Sequence, residues 1–347
     1  MPTTQRRTAV GHCASALALI LVTHGVLAQA EDRVLLYGVL DTSIEVTNPS
    51  NGWTERMDSG AYRGSRVGLR GSESLGNHLD VIFDLENGFN SADGTLSTAG
   101  TLFNRQAWVG LQGDFGQVRV GRQYSPIYIP FKGQLDAFGA GTIASGLNNL
   151  SKITPYVNSA LTYMSPDIHG LRFTVMLPLR DPADGSGNGI AGHYETVNYR
   201  NGIFAASYAH QSVHGVNALA ANLAGASVHV GRSHVYLSYF NYVGGTSPYK
   251  GRGVSASTRY DLSHQWWVGG GWAYLQDLSG RNGNASQYSV ITDYAASPQL
   301  SFYCSLAWLS NRANGTSTLR GVNVTGLPVA YPGASVRGIQ LGMLKTF

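Results

Sequence analysis

From about residue 31 to the end of the chain, apolar and polar positions alternate with a period of two, interrupted by clusters of Gly, Asn, Asp, Ser and Pro. Successive side chains of a strand point to opposite faces, so this alternation predicts strands with one apolar and one polar face. Sixteen segments carry it: 33–46, 60–73, 78–88, 103–113, 116–124, 157–166, 169–179, 190–200, 202–211, 225–231, 234–244, 251–262, 265–275, 286–296, 300–310 and 336–347. The stretch SRVGLRG (65–71) is typical: Val67 and Leu69 share one face, and Arg66, Gly68 and Arg70 share the other. In HLDVIFDLENGF, Leu79, Val81, Phe83 and Leu85 oppose Asp80, Ile82, Asp84 and Glu86. Near the end, Ile339, Leu341, Met343 and Phe347 fall in one phase, with Lys345 out of place among them and Leu344 out of place in the other.

Connections alternate in length. GSESLGN (71–77), GDFG (113–116), SPDIHG (165–170) and NG (201–202) are short, whereas 47–59, 87–102, 125–156, 180–189, 212–224, 245–250, 276–285 and 311–335 are mostly longer. Short turns at one end and long loops at the other suit an up-and-down barrel in an outer membrane. A sandwich of this size would leave a large exposed sheet edge, whereas closure removes every edge and satisfies the backbone, as lipid demands. The fold class read from the pattern is therefore all-β: a transmembrane sixteen-stranded antiparallel barrel. Sixteen strands enclose a water-filled lumen. Val67 and Leu69 then face lipid, and Arg66 and Arg70 face the water inside. Tyr37, Trp108, Trp266, Trp272, Tyr303 and Trp308, near strand ends, are candidates for interfacial girdles.

Composition sharpens this reading. Charged residues make up only 13% of 347, about half the share usual in soluble proteins, while Gly reaches 44 and Tyr 19. No run of 18 apolar residues follows the leader, which excludes helical spans. Arg6 and Arg7, the apolar stretch Ala14–Val22 and Ala28-Gln29-Ala30 have the order of a secretory signal peptide, expected at 1–30 with cleavage after Ala30. The mature chain, 31–347, is then one barrel domain. It keeps Cys304 alone and so has no intramolecular disulfide. Loss of Arg6 and Arg7 takes the net charge from +4 to +2, which makes no case for nucleic acid.

The ordered pieces LYGVLDTS (36–43), SRVGLRGSESLGN (65–77), IFDLENGFN (82–90), LFNRQAWVGLQGDFGQVRVGRQYSP (102–126), DAFG (136–139), LTYMSP (161–166) and the terminal Phe347 resemble the general diffusion porins of Gram-negative bacteria. Within them the likeness is to the trimeric sixteen-stranded family of β-proteobacteria and neisserial relatives. The resemblance implies a homotrimer in the outer membrane, among lipid and lipopolysaccharide, passing ions and small hydrophilic solutes passively. It implies that the third loop, about 125–151, folds into the barrel and narrows it, and that Phe347 is read by the outer-membrane assembly machinery.

Carried over by motif, the constriction arginines are Arg66 and Arg105, and the acid is Glu86. Arg70 shares the phase of Arg66, and Asp84 that of Glu86. Lys132 and Asp136 are the only charged residues of SPIYIPFKGQLDAFGAGTIASGLNNL. Where relatives often carry an arginine and a lysine ahead of and beside the next tyrosine, this chain has Tyr156 and Thr162. Basic groups Arg66, Arg70, Arg105 and Lys132 against acids Asp84, Glu86 and Asp136 are nearly balanced, so weak selectivity leaning to anions is expected. Opposed charges across a narrow neck set up a transverse field that aligns polar solutes.

Other constellations add no cofactor and no metal. GAGTIA (139–144) resembles a dinucleotide fingerprint but lacks the strand, helix and later acid of a βαβ unit. His210 and His214, four apart, suit zinc only on a helix, and they fall at a strand end and loop. Asp80, Asp84 and Glu86 line one wall at strand spacing, and no nucleophile motif selects a catalytic serine. A substrate-specific channel, a barrel enzyme and an adhesin with a plugged interior are the alternatives.

Overall fold

The computed structural model describes residues 33–180, 187–215, 218–244 and 249–347; the expected signal peptide lies outside the described residues. Among these residues the strands in the first part of the chain are β1 (Arg33–Asn48), β2 (Thr54–Ser59), β3 (Arg66–Gly76), β4 (Leu79–Gly88), β5 (Gln106–Gly113) and β6 (Gly116–Tyr124). Two short helices, α1 (Tyr128–Gly133) and α2 (Gly146–Leu150), follow. The remaining strands are β7 (Tyr156–Met164), β8 (Leu171–Pro178), β9 (Gly192–Asn201), β10 (Phe204–Val213), β11 (Leu219–Val230) and β12 (Ser233–Gly244). They continue with β13 (Tyr249–Asp261), β14 (Trp266–Asp277), β15 (Ala285–Ser297), β16 (Leu300–Asn311) and β17 (Val336–Thr346).

Apart from β2 and β3, which both pair with β1, each strand pairs antiparallel with its sequence neighbour, and β1 closes the ring on β17 with Val39 opposite Thr346 and Asn48 opposite Arg337. The main chains of Gly38 and Phe347 exchange two hydrogen bonds, at 2.9 and 3.2 Å, at the seam. Seventeen segments make sixteen staves, because β2 and β3 pair with successive parts of the same strand: Thr42–Thr47 of β1 face β2, and Arg33–Val39 face β3. The alternation pattern reads 60–73 as one strand; instead the chain leaves the wall at 60–65. Gly60 and Gly64 take positive φ there (72° and 66°), a conformation costly for other residues. The detour is pinned inward by Asp41, whose Oδ2 accepts from the main-chain N–H of Tyr62 (2.7 Å) and Arg63 (2.8 Å).

The phase of the alternation holds around the wall. Val67, Leu69, Leu341 and Met343 are exposed on the outer surface, while Gln340, next to Leu341 and in the opposite phase, is fully buried inside. Closure gives every interior strand two hydrogen-bonded neighbours, which is what a hydrocarbon surround requires. Of the six aromatics proposed for the girdles, Trp266, Trp272 and Trp308 face outward, but Trp108 and Tyr303 are buried inside and Tyr37 turns inward to acids of β4. The misfit Leu344 packs inside against a cluster that includes Phe138 and Tyr303, and Lys345 Nζ donates to Gln299 Oε1 (3.1 Å) at the short-turn end.

The connection between β6 and β7 explains why so long a loop carries so few charges. Its Ile127, Tyr128, Phe131, Leu135, Ile143, Leu147 and Leu150 are buried, packed with inward-facing Ala209, Ala221, Ala273, Ala285 and Ala307 of the wall. Small residues on the inner face make the room: a Cβ on Gly146 would lie 2.5 Å from that of Ala273. Polar contacts fix the segment as well. Ser238 Oγ donates to Leu135 O (2.5 Å), Asn149 Nδ2 to Gln287 Oε1 (2.8 Å), and Ala137 N–H to Ser257 Oγ (3.0 Å). The helix α2 is capped by Ser145, whose Oγ accepts from Asn148 N–H (3.0 Å).

Candidate functional site

Strands β1, β3, β4, β5 and β6 bring together five of the seven charged residues singled out in the sequence. The register places Arg70 opposite Asp84 and Gly68 opposite Glu86. Arg70 Nη2 and Nε bond Asp84 Oδ2 at 2.9 and 3.1 Å. Glu86 is held from both sides: Arg66 Nε lies 3.0 Å from Oε2, and Arg105 Nε lies 2.7 Å from Oε1. Arg105 follows the long connection after β4 and reaches back to Glu86, and its side chain is 1% exposed.

Two tyrosines complete the cluster. Tyr37 donates to Asp84 Oδ1 (2.7 Å) and sits within reach of Glu86 Oε2 (3.0 Å). It can lie there because its opposite number in β3 is Gly68, where a Cβ would stand 2.5 Å from the Tyr37 ring. Tyr124 accepts from Arg105 Nη2 (2.5 Å) and donates to Glu86 Oε1 (2.7 Å). The Arg105 guanidinium also lies 5.5 Å from the centroid of Tyr156, which supplies it with an aromatic face. Neither tyrosine is evident from residue type alone; the signal for Tyr37 is a glycine between two inward arginines.

Arginines and acids here are neighbours on one wall, paired through register, rather than opposed across a gap. The acids thus spend their charge locally. Asp136 does not join them, and Lys132 stands beside them without an ion pair among the described residues. Lys132 Nζ lies 5.4 Å from the Tyr128 ring centroid. Burial, with repulsion from Arg105 and Arg66, pushes its ammonium well below the ordinary lysine range. Asp136 is buried within the loop, where Oδ2 accepts from Ser145 Oγ (2.6 Å) and Ala140 N–H (3.1 Å), and Oδ1 from Ser257 Oγ (3.3 Å). It ties the loop to itself and to β13. Burial nevertheless raises its carboxyl to about 6.

A basic residue absent from the sequence reading faces the interior nearby. Arg119 of β6 stands directly opposite Thr162 of β7, its guanidinium 4.3 Å from the Trp108 ring centroid. It bonds Gln117 and forms no salt bridge among the described residues. The signal was present in QVRVGRQY, where Val118 and Val120 alternate with Arg119. Arg119 lines a cavity of about 580 Å³ between the loop and the wall, together with Arg172, Arg200 and a single acid, Asp167. On the long-loop side a second cavity, of about 500 Å³, is bordered by Lys152, Lys250, Arg281 and Arg320 against Asp277.

The family model described as Gram-negative porin matches residues 14–314. The chain belongs to the Gram-negative porin family. Its place is accordingly the outer membrane. This porin is 35% identical to an outer membrane porin protein of Bordetella pertussis over 178 residues, covering 46% of each chain. It is 30% identical to major outer membrane protein P.IB of Neisseria gonorrhoeae over 203 residues, 56% of each. This porin thus matches about half the length of these curated relatives. Among solved structures, the anion-selective porin from Comamonas acidovorans superposes with a TM-score of 0.77 at 23% identity, covering 91% of this chain and all of that one. The trimer form of OmpT from Vibrio cholerae gives 0.68 at 13% identity, covering 91% and 99%. Both likenesses are of fold.

Proposed function

We propose that this porin forms a water-filled channel for passive diffusion of ions and small hydrophilic solutes, weakly selective with a lean to anions. In this reading the loop 125–151 narrows the lumen, and Arg66, Arg70 and Arg105 with Asp84 and Glu86 form the wall facing it. The observation that carries the anion lean is the asymmetry of pairing. Asp84 and Glu86 are consumed by three arginines and two tyrosines, while Arg119, Arg172 and Arg200 outnumber Asp167 along the adjoining cavity. Channel preference follows the sign of the wall charge that stays unneutralised. The anion selectivity named for the Comamonas acidovorans structure points the same way. Lys132 and Asp136 serve on this account to seat the loop rather than to set the field.

The reading includes a homotrimer with one pore per subunit, a boundary of outer-membrane lipid and lipopolysaccharide, and Phe347 as the residue read by the assembly machinery. It includes no catalytic step. Liposomes containing the purified protein are expected to swell in isotonic small sugars at rates that fall with solute size. Liposomes that stay sealed to arabinose and glucose would refute it.

A further inference from the structure

The outer surface carries a group of side chains that diffusion does not need. His193 and Glu195 lie two apart on β9, in the outward phase of the exposed Val197, while Tyr194 and Thr196 between and beside them are buried inside. On β10, His210 shares the outward phase of exposed Tyr208, alternating with the fully buried Ala209 and Gln211. The register sets His210 opposite Glu195. One nitrogen of each imidazole and one carboxylate oxygen come within 4.8 Å of one another. We infer that His193, Glu195 and His210 form a binding site for a divalent transition-metal cation of the zinc class, on the outer wall at the long-loop end of the barrel.

The chemistry of the donors favours this class. Imidazole nitrogen with a carboxylate suits Zn²⁺, Ni²⁺ and Cu²⁺, whereas Mg²⁺ and Ca²⁺ prefer oxygen shells. Ligands about 2.1 Å from a tetrahedral ion stand roughly 3.4 Å apart, so side-chain rotation suffices to close the set. His193 Nδ1 and Glu195 Oε1 are 2.7 Å apart as a hydrogen-bonded pair, so an ion taken between them displaces the shared proton and parts them by under about 1 Å. His210 has the outer partner such ligands use: Asn222 Oδ1 lies 2.8 Å from its Nδ1, which leaves Nε2 as the donor atom. Asn222 is itself steadied by Nδ2 donating to Asn241 Oδ1 (2.9 Å). His214, with its ring 6.0 Å from that of His193, stands beside the three as a candidate fourth donor. The strand spacing that made His210 and His214 poor ligands as a pair is bypassed, because the second histidine comes across the hairpin.

Zinc titration of the untagged, detergent-folded protein, read by calorimetry, tests this without reference to conduction. One Zn²⁺ per chain is expected, with affinity falling at least tenfold in His193→Ala and in His210→Ala. Glu195→Gln, which keeps shape and removes only charge, is expected to weaken binding similarly, and millimolar Mg²⁺ not to compete. Cobalt should give the intense visible bands of a tetrahedral site, lost in the same variants. Undiminished zinc binding in folded Glu195→Gln and His210→Ala, or its loss instead on replacing His229, which stacks on His234 near the short-turn end of β11, by Ala (His229→Ala), would overturn the assignment.

Discussion

Arg105 and Glu86 meet at 2.7 Å between two strands with 1% and 3% of their side chains exposed, so the ion pair is shut off from solvent although it belongs to the wall of a hollow barrel. Arg70 and Asp84, one register step away, form a pair of similar length with the arginine 57% exposed. Burial decides what each is worth. Removing one member of a buried pair strands the other charge and costs about 3 kcal/mol or more, while an exposed pair is worth about 0–1 kcal/mol.

Arg105→Ala is therefore expected to destabilise the folded barrel by about 3 kcal/mol, Arg66 remaining to hold Glu86. Arg70→Ala should cost under about 1 kcal/mol, since Tyr37 and Gln106 still donate to Asp84. Urea unfolding of lipid-reconstituted protein ranks the two, and equal effects would show that the buried pair is not structurally distinct.

Arg119→Glu reverses the charge of an arginine that has no salt bridge among the described residues. Its expected consequence is a shift of the zero-current potential in a salt gradient toward cation preference, with folding unaffected. Arg70→Gln should shift it less, because the change frees Asp84 on a wall where other donors still hold it.

Gly146→Val forces a side chain into the inner wall, where even a Cβ lies 2.5 Å from Ala273. The barrel strands do not depend on that contact, so the variant should fold, displace α2 and raise single-channel conductance. Unchanged conductance in a folded variant would mean that the loop does not set the bore.

Asp136 gives a pH dependence of definite sign. Burial raises its carboxyl to about 6 from the usual carboxylate range near 4. The folded state thus holds the proton more tightly than the unfolded chain, and the stabilisation is full below about pH 4 and lost as pH rises through about 6. Thermal stability of the wild type should fall relative to Asp136→Asn between pH 4 and 7. A constant difference across that range would show that the carboxyl titrates normally.

Much of this architecture is legible in the chain because lipid outside and water inside impose opposite demands on alternate residues. Strand positions follow from that contrast, and so does the inward aim of Arg66, Arg70, Asp84 and Glu86. Legibility fails where the contrast vanishes. Residues 219–224 read as loop because Ala220, Ala221 and Ala224 are small on both faces, yet they begin β11. The break at 60–65 hides within a continuing alternation, since it depends on Asp41 reaching across from β1. Pairing of acids with arginines depends on register, which the turn and the irregularity between Ser74 and Gly76 set. Tyr37 reads as an interfacial aromatic, and only its cross-strand glycine shows that it turns inward.

Zero-current potential across a planar bilayer holding the purified protein, with tenfold more potassium chloride on one side, tests whether the barrel is an open channel and which ion it favours. A hollow, modestly basic barrel predicts discrete conductance steps and a small potential of the sign given by chloride moving faster than potassium. Absent steps, or a potential of the opposite sign, would contradict it.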